Sequence, residues 1–512
     1  MKPTRELALR LFTVILFCIL AVAGLGFSIY IFMVATDTYM LVVGCFFLLL
    51  SIVAALFNGF AAMYYYRSYF YSRYISQVEE GLKPIGRLPS VAVAVPIYNE
   101  DPEEVKRNAL GLMKMNYPRS KVKFYFLDDS TNPEIVESLR AFAKRHGIAF
   151  LHRDTRQGYK AGALNNMLKV SKEEFIAIFD SDEMLTDRNF LMELLPYFQD
   201  GKLSYLQTEK SYHKGTFFSD SVALFDAFFF KFIQPSRALN NTAIFAGSCG
   251  IIRRSILDKL GGFPEYVIED TFFSFDAYKG RYKSLYVPKI YALGRPILTF
   301  TSLIKQQWRY NYGDTQFLGY FMRNSKKLES LSALSNMDYR IHGFGLNYLS
   351  VMLLLFTLVS VLIVFSSIPI LHVTLQQFVT GTSIVGYLEV FGAAAFILSL
   401  LVPVMLTKFY FKSISKGFMV FALNFALAIV RAKAAVAAVL KKEPGIHWNR
   451  TKTEKSNLAF SLLNTKMEVA FSAFLFILGY VAIVINNLTG GVWLFAYGIM
   501  YSLTTVLLYK YG

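Results

Sequence analysis

The stretch FIAIFDSDEMLTD, residues 175–187, determines how the rest of this 512-residue chain is interpreted. Its first residues are mostly apolar and β-forming, which is typical of a buried strand. Asp180 and Asp182 follow directly, so the strand would deliver two carboxylates to its carboxyl end, where open α/β sheets bind ligands. Neighbouring carboxylates repel each other unless a cation lies beside them, and a divalent cation with oxygen ligands fits best. A solvated Asp-rich turn is the alternative, and only the surrounding sequence favours a ligand site.

Long uncharged runs indicate a membrane protein. The chain is 54% hydrophobic with a mean hydropathy of +0.39, so a purely soluble protein is not expected. Runs long enough to cross a bilayer predict six spans, at 11–34, 38–66, 344–371, 390–407 and two within 469–509, separated at 486–491. A signal peptide is the alternative for the first run, but that run lacks a clear small-residue cleavage site, which favours an anchor.

The distribution of basic residues predicts the orientation of these spans. The connectors 36–40, 372–386 and 486–491 contain no Lys or Arg, whereas basic residues flank the other ends of the spans. By the positive-inside rule, both termini and the long polar segment are cytoplasmic, with the spans in the plasma membrane. The net charge of +17 then belongs to the membrane face and to an anionic ligand, and no nucleic-acid motif is visible. Segment 417–440 carries Arg431 and Lys433, which predicts a helix on the membrane surface rather than a seventh span.

The polar segment 90–324 alternates between predicted strands and helices. Apolar runs at 91–95, 122–127, 148–151 and 203–207 predict strands besides the one that reaches Asp180, and helices are predicted between them. Asp101-Pro102 and Asn132-Pro133 are typical helix starts. Repeated strand-helix units would bring Glu100, Asp128, Asp129 and Asp180 to one edge of a sheet. The sequence therefore predicts a nucleotide-binding half-domain.

The groups predicted at that edge suit a nucleoside diphosphate. Asp128 or Asp129 could accept hydrogen bonds from ribose hydroxyls or a base N–H. Arg153, Arg156 and Lys160 precede or open the helix predicted at 159–170, so cations and a helix N-terminus could meet diphosphate charge. Taken one at a time, the two carboxylates could merely turn the chain, and Lys160 could be a solvated surface charge.

Two further clusters follow the predicted sheet. Asp270 lies near a helix start, where a carboxylate is either an N-cap or a general base. Gln306, Arg309 and Tyr310 share one face of a probable helix because they are spaced i, i+3 and i+4. An amide, a guanidinium and an aromatic ring on one face suit a diphosphate and a sugar, although a polar interfacial helix is the alternative.

Together these motifs resemble the inverting family 2 glycosyltransferases with a GT-A fold, in particular the membrane-embedded synthases of the cellulose, mannan and hyaluronan synthase type. The resemblance rests on PxYNE at 96–100, DDS at 128–130, KAGALN at 160–165, DSD at 180–182, ED at 269–270 and QxxRY at 306–310. Segment 230–254 is most similar to bacterial cellulose synthases. The fold class this implies is a cytosolic α/β GT-A domain inserted in a helical bundle of about six spans plus interfacial helices.

The resemblance also implies roles for single residues. The nucleoside would be contacted by Tyr98, Glu100, Asp128 and Asp129, and the diphosphate would be held by Lys160, by Gln306 and Arg309, and by Asp180 and Asp182 through Mg²⁺ or Mn²⁺. Asp270, next to Glu269, would be the general base that deprotonates the acceptor hydroxyl. Tyr310 would stack near the acceptor at a position where the family has Trp, so retention of a polymer is less certain. Segment 448–455 resembles the family's gating loop.

Three functions remain open on the sequence alone. The first is a processive β-glycan synthase with a nucleotide-sugar donor such as UDP-glucose, and the second is transfer of a sugar to a membrane lipid, with or without an accessory subunit. The third is a transporter or receptor with a nucleotide-binding domain, against which the spans contain few ionisable groups. The predicted domains are 1–89 (two spans and a linker), 90–324 (GT-A domain), 325–412 (spans three and four), 413–465 (interfacial helix and gating-like loop) and 466–512 (spans five and six).

Overall fold

The computed structural model of the protein describes residues 3–324, 332–366, 398, 401–442 and 457–512. Its central feature is one eight-stranded sheet with the order β3-β2-β1-β4-β7-β6-β8-β5. The strands are β1 Val91–Ile97, β2 Val122–Asp128, β3 Ala149–His152, β4 Phe175–Ile178, β5 Met184–Leu185, β6 Leu203–Tyr212, β7 Gly250–Arg253 and β8 Lys283–Gly294.

The half of the sheet formed by β3, β2, β1 and β4 is parallel, as the alternating strands and helices predict. The central strands β1 and β4 are almost completely buried, which explains their continuous apolar runs. Ile97 pairs with Asp128, and Asp128 pairs with His152. The carboxyl ends of these strands therefore meet at one edge, and Asp180 follows β4 at the same edge.

The other half of the sheet contains three strands that the sequence analysis missed. β7 pairs antiparallel with both β4 and β6, and β8 pairs parallel with β6 and antiparallel with β5. The strand pattern of β8 is interrupted by Pro288, which cannot donate to a ladder. Here the pairing with β6 jumps from Val287 to Ile290, so the proline falls in an irregularity of the ladder. This mixed sheet confirms the α/β domain of the predicted fold class.

Helices surround this sheet and extend from it on both sides along the chain. Asp101 and Asn132 cap α3 and α4 through their side chains, and Gly147 ends α4 in the left-handed conformation, as predicted. The helices are α1 Pro3–Val34, α2 Thr38–Glu80, α3 Pro102–Leu112, α4 Pro133–His146, α5 Tyr159–Val170, α6 Phe190–Leu194, α7 Phe217–Phe228, α8 Gln234–Ala238, α9 Arg254–Leu260, α10 Glu269–Lys279, α11 Phe300–Asn324, α12 Ala333–Val364, α13 Leu401–Phe411, α14 Ile414–Val439, α15 Leu458–Asn464, α16 Lys466–Val484 and α17 Leu488–Tyr511.

Five helices in the described part of the chain are long and apolar enough to cross a membrane: Arg5–Val34, Thr38–Glu80, Ile414–Val439, Lys466–Val484 and Gly490–Tyr511. Shorter apolar helices at Ser350–Val364 and Leu401–Phe411 overlap the third and fourth predicted spans, of which residues 367–371, 390–397 and 399–400 lie outside the described residues. Ile414–Val439 is long and apolar enough to cross a membrane, although the sequence predicts a helix on the membrane surface there. The surface placement of this helix and the count of six spans therefore stay predictions. The gating-like loop at 448–455 lies outside the described residues.

A buried polar cluster joins the sheet domain to α2 and α12. The carboxylate of Asp338 accepts hydrogen bonds from Tyr64 Oη (3.0 Å), Asn240 Nδ2 (2.8 Å) and Thr242 Oγ1 (2.6 Å). Arg237 donates to the Asp338 carbonyl at 2.6 Å, and both charged residues are at most 1% exposed. Because a buried carboxylate needs all of these donors, the cluster fixes α8 and the loop that follows it against α2 and α12.

We expect Asp338→Ala to destabilise the fold by about 3 kcal/mol, because three buried donors lose their shared acceptor and the Arg237 cation loses the neighbouring negative charge. The measurement is the thermal unfolding midpoint of the purified full chain in detergent. Asp258→Ala is the matched control, since this carboxylate is half exposed and pairs only with Arg254 at 3.1 Å. Equal midpoints for the two variants would contradict a structural role for the cluster.

Candidate active site

Asp180 lies at the centre of a charged network at the sheet edge. Lys160, from the first turn of α5, donates to Asp180 Oδ1 at 2.6 Å, and Lys210, from β6, approaches Oδ2 at 3.3 Å. Burial raises the pKa of Asp180, but the two ammonium groups outweigh it and hold that pKa below its usual range. Asp180 is therefore ionised and already neutralised by two lysines.

Lys210 ties Asp180 to two groups that the sequence analysis missed. Its ammonium donates to Ser248 Oγ at 2.6 Å and lies 3.4 Å from Glu183 Oε1, and Ser248 donates to the same Glu183 oxygen at 2.7 Å. Burial favours the neutral amine, yet Glu183 and Asp180 hold the pKa of Lys210 well above its usual range. Lys210 lies near the end of β6, whose partners β7 and β8 come later in the chain, so no local pattern indicates it.

Asp182 differs from Asp180 in having no hydrogen bond or ion pair with any residue that the structure describes. Burial first, and then the charges of Asp180 and Glu183, raise the pKa of Asp182 to about 7. No group of three or more His, Cys, Asp or Glu residues in the described ranges is arranged to hold a metal ion. Asp182 nevertheless suits a divalent cation, because its carboxylate is crowded by negative charge and has open coordination. Further ligands would have to come from a bound diphosphate.

The two carboxylates that end β2 are engaged inside the protein. Asp128 is fully buried, and its Oδ2 accepts a hydrogen bond from His152 Nδ1 at 2.6 Å. Arg153 donates two hydrogen bonds to the Asp129 carboxylate, from Nε at 2.7 Å and from Nη2 at 2.6 Å. Arg153 is thus held by Asp129 rather than free to meet a diphosphate, contrary to the expectation from sequence. Contact between these two carboxylates and a nucleoside stays a prediction, with partly exposed His152 as an additional polar group beside them.

Tyr98 and Glu100 follow β1 at the same edge. The Tyr98 ring is 38% exposed, and the Arg156 guanidinium lies 3.5 Å from its centre. Glu100 accepts a hydrogen bond from the backbone N–H of Tyr98, with Asn99 between them at φ 56°. Burial raises the pKa of Glu100, and the nearby charge of Asp180 adds to it. An exposed aromatic ring with a cation above it suits a planar base, and Glu100 lies close enough to Asp180 to be affected by its charge. A nucleoside contact at Tyr98 and Glu100 stays a prediction.

Asp270 and Lys160 meet at the backbone of Gly247. A methyl group added to Gly247 would lie 3.2 Å from Asp270 Oδ2 and 3.6 Å from Lys160 Nζ. Gly247 has φ 81°, which few other residues adopt, so glycine lets the backbone pass between these two groups. The structure therefore brings Asp270, at the start of α10, next to the Lys160–Asp180 pair, although 90 residues separate the two carboxylates in sequence.

Glu269 and Asp270 form a second acidic pair in this site. Burial and the adjacent Asp270 charge raise the pKa of Glu269 to about 7, and burial also raises the pKa of Asp270. One Asp270 oxygen accepts from the N–H of Thr271 at 2.8 Å, whereas the other faces Gly247. A carboxylate with a raised pKa and an oxygen toward the cleft has the properties of a general base.

The face of α11 predicted from sequence lies beside this pair. Gln306 Nε2 donates to Tyr310 Oη at 3.3 Å, and the Arg309 guanidinium lies 5.5 Å from the Tyr310 ring centre. Arg309 is exposed, and its charge acts on both Glu269 and Asp270. The next residue along, Gln307, is buried and accepts from Arg431 Nε of α14 at 3.0 Å. That contact, which the sequence analysis missed, fixes the rotation of α11 relative to α14.

Comparison with known proteins assigns the sheet domain. Residues 92–261 match the family model described as Glycosyl transferase family 2. A cellulose synthase catalytic subunit (UDP-forming) of Pseudomonas fluorescens strain SBW25 is 32% identical over 236 residues, which are 44% of this chain and 31% of the relative. Cellulose synthase 2 of Novacetimonas hansenii is 31% identical over 268 residues, 49% of this chain and 16% of the relative. The chain thus spans less than a third of the length of either relative.

A solved structure with a related outline is a mannosyltransferase from Pyrobaculum calidifontis in complex with GDP-Man and Mn²⁺, with a TM-score of 0.49 and 17% identity over 75% of this chain and 97% of that one. The matched sequence, and not this likeness, carries the assignment. Residues 92–261 belong to a family 2 glycosyltransferase domain, and the predicted family is confirmed. This match favours a glycosyltransferase over the transporter or receptor alternative, in a chain that also has several helices long and apolar enough to cross a membrane.

We expect Gly247→Ala to lower the turnover number at least tenfold, because the added methyl pushes against the carboxylate of Asp270. The measurement is release of nucleoside diphosphate by the purified full chain. Gly261→Ala is the matched control, since Gly261 has φ 88° but open space around it. Both variants carry a backbone strain of about 1 kcal/mol, so similar turnover in the two would show that Asp270 does not depend on Gly247.

Proposed function

We propose that this chain is a membrane-embedded, inverting glycosyltransferase that moves a sugar from a nucleoside diphosphate donor, such as UDP-glucose, to the hydroxyl of a growing β-glycan. The juxtaposition of Asp270 with Lys160 and Asp180 across Gly247 is the observation that carries this proposal. It supports a base at Asp270 within reach of a diphosphate held by Lys160. The cellulose synthase relatives support the choice of a glycan acceptor and of a uridine donor.

In this proposal, Asp270 takes the proton of the acceptor hydroxyl as that oxygen attacks the sugar C1. The new C1–O bond forms on the face opposite the breaking C1–O bond to the diphosphate, so the anomeric centre is inverted. Negative charge then grows on the departing diphosphate, where Lys160 and Arg309 can donate hydrogen bonds to it. Lys160 would exchange its contact with Asp180 for one with the diphosphate. Tyr310, on the same face of α11, would stack on the acceptor sugar.

A divalent cation fits this donor site. Asp182 would hold Mg²⁺ or Mn²⁺ together with diphosphate oxygens, with Asp180 beside it, because Asp182 has open coordination and Asp180 is already neutralised by lysines. The cation would offset charge on the leaving diphosphate. Tyr98, Glu100, Asp128 and Asp129 would form the nucleoside end of the site, with Asp129 acting through Arg153.

The membrane placement follows from the distribution of charge. Because basic residues flank one set of helix ends and are absent from the opposite connectors, the catalytic domain and both termini would lie on the cytoplasmic side of the plasma membrane. The polymer would leave through the helices that the Asp338 cluster ties to the sheet domain. Transfer to a membrane lipid is the second candidate, and Tyr310 favours it because a phenol ring offers less stacking area than an indole.

We expect membranes that contain the chain to incorporate label from one of a panel of UDP- and GDP-sugars, with Mg²⁺ or Mn²⁺, into enzyme-digestible polymer. Asp270→Asn should abolish this incorporation, because an amide cannot accept the acceptor's proton. Asp276→Asn in the same helix is the matched control, since Asp276 only pairs with Lys279 and Tyr320. If label appears only in the organic phase, the product is a glycosylated lipid and not a polymer. If no donor supports metal-dependent turnover, the proposal that the chain is a glycosyltransferase is contradicted.

We expect kcat/KM to fall about tenfold per pH unit along its acid limb, with an apparent pKa above the usual carboxyl range, because Asp270 must be deprotonated and burial raises its pKa. A carboxyl with a raised pKa is protonated at low pH and becomes active as pH rises. Glu269→Gln removes the negative charge next to Asp270, so the acid limb should move to lower pH. This shift is expected whether or not the substitution changes the maximal kcat/KM. An acid limb that stays in place or moves to higher pH would contradict the interaction between Glu269 and Asp270.

A further inference from the structure

A groove of about 730 Å³ lies between helices α12, α14 and α16, outside the catalytic cleft. Trp308 of α11 forms part of its wall. Apolar side chains make up most of the lining, among them Leu354, Ile429, Val436, Met467 and Phe471. Helices α14 and α16 are among those long and apolar enough to cross a membrane, so the groove faces the region where lipid chains would be.

Large apolar side chains at the groove remain exposed. Val436 is 58% exposed, Leu440 is 59% exposed and Met467 is 59% exposed. Water in such a groove would be surrounded by apolar groups on most sides, whereas a lipid acyl chain would remove the same surface from water. The volume and lining therefore suit an acyl chain better than a soluble ligand.

The polar groups at the groove indicate what kind of headgroup its occupant carries. Lys433 Nζ pairs with Glu468 Oε1 at 2.7 Å, and Lys442 also lines the groove. Two ammonium groups thus face one carboxylate. Trp308 Nε1 and Glu468 Oε2 are buried without a hydrogen-bond partner within the described ranges. A net positive charge and a spare N–H donor next to an apolar groove match the phosphate and the acyl chain of an anionic lipid.

Trp308 connects this groove to the active site. In sequence it lies between Gln307, which is held by Arg431, and Arg309, which acts on the Glu269–Asp270 pair. In space it packs with Val267 against a cluster formed by Tyr312, Ala434, Ala437 and Ala438. Val267 comes two residues before Glu269, so the cluster that supports Trp308 also supports the chain that leads into the first turn of α10.

We propose that this groove binds one anionic phospholipid of the surrounding bilayer. Its acyl chain lies along α14 and α16, and its phosphate lies near Lys433, Lys442 and the indole N–H of Trp308. The bound lipid fills the space behind Trp308 and thereby holds α11 and the first turn of α10, with Glu269 and Asp270, in place. This inference rests on the apolar helices and the groove, and it does not depend on which sugar or acceptor the enzyme uses.

The test uses the purified full chain, stripped of lipid and then incubated with phosphatidylglycerol or phosphatidylcholine, with bound lipid counted by native mass spectrometry. We expect the protein to retain one phosphatidylglycerol in preference to phosphatidylcholine. Ala432→Phe, which fills the groove, should lower that retention at least tenfold. Val439→Phe is the matched control in the same helix, because Val439 is 71% exposed and does not line the groove.

A second variant tests the phosphate contact at an exposed residue where misfolding is not expected. Lys442→Gln should reduce the preference for phosphatidylglycerol about fivefold, the usual contribution of one basic group near an anionic lipid. Equal retention of both lipids, or unchanged retention in Ala432→Phe, would overturn the proposal. So would a retained lipid that becomes labelled by the donor sugar, because the groove would then hold the acceptor. A failure of glycosyl transfer would leave these binding results unaffected.

Discussion

The ion pair between Asp180 and Lys160 is the contact on which the site depends. It joins the end of a buried strand to the first turn of α5, and Lys210 extends it to Glu183 and Ser248 on the other half of the sheet. When no nucleotide sugar is bound, these lysines neutralise the Asp180 carboxylate, which is otherwise surrounded by acidic neighbours. A diphosphate would bring its own negative charge, so the same lysines can serve as its cationic partners with little rearrangement of the surrounding strands.

The long helices outside the sheet domain hold parts of the site in position. Arg431 of α14 holds Gln307 of α11, and Asp338 of α12 holds the segment after α8 that leads toward Gly247. Helices outside the sheet domain therefore fix two sides of the cleft. Arg309 lies on one of these sides and Gly247 on the other. This arrangement gives the helical part of the chain a direct mechanical connection to the reacting groups.

The sequence predicts the parallel half of the sheet because its strands are buried apolar runs that alternate with capped helices, all of which are local signals. β8 escapes prediction because Pro288 interrupts its pattern and because its pairing with β6 is nonlocal. The same difference applies to the site. Asp180 and Asp182 look equivalent in sequence, yet only tertiary contacts show that lysines neutralise the first and leave the second open, and no local pattern distinguishes Lys210 from a surface lysine.

The central claim is that the Lys160–Asp180 edge receives the diphosphate of the donor. Cryo-electron microscopy of the full chain with a nucleoside diphosphate and Mg²⁺ tests it most directly. The account predicts metal density about 2.1 Å from an Asp182 oxygen, with the Lys160 ammonium moved from Asp180 to the diphosphate. It would be contradicted by a diphosphate bound elsewhere, for example in the basic groove between α3 and α4 that Lys114 and Arg145 line, with the Lys160–Asp180 contact unchanged.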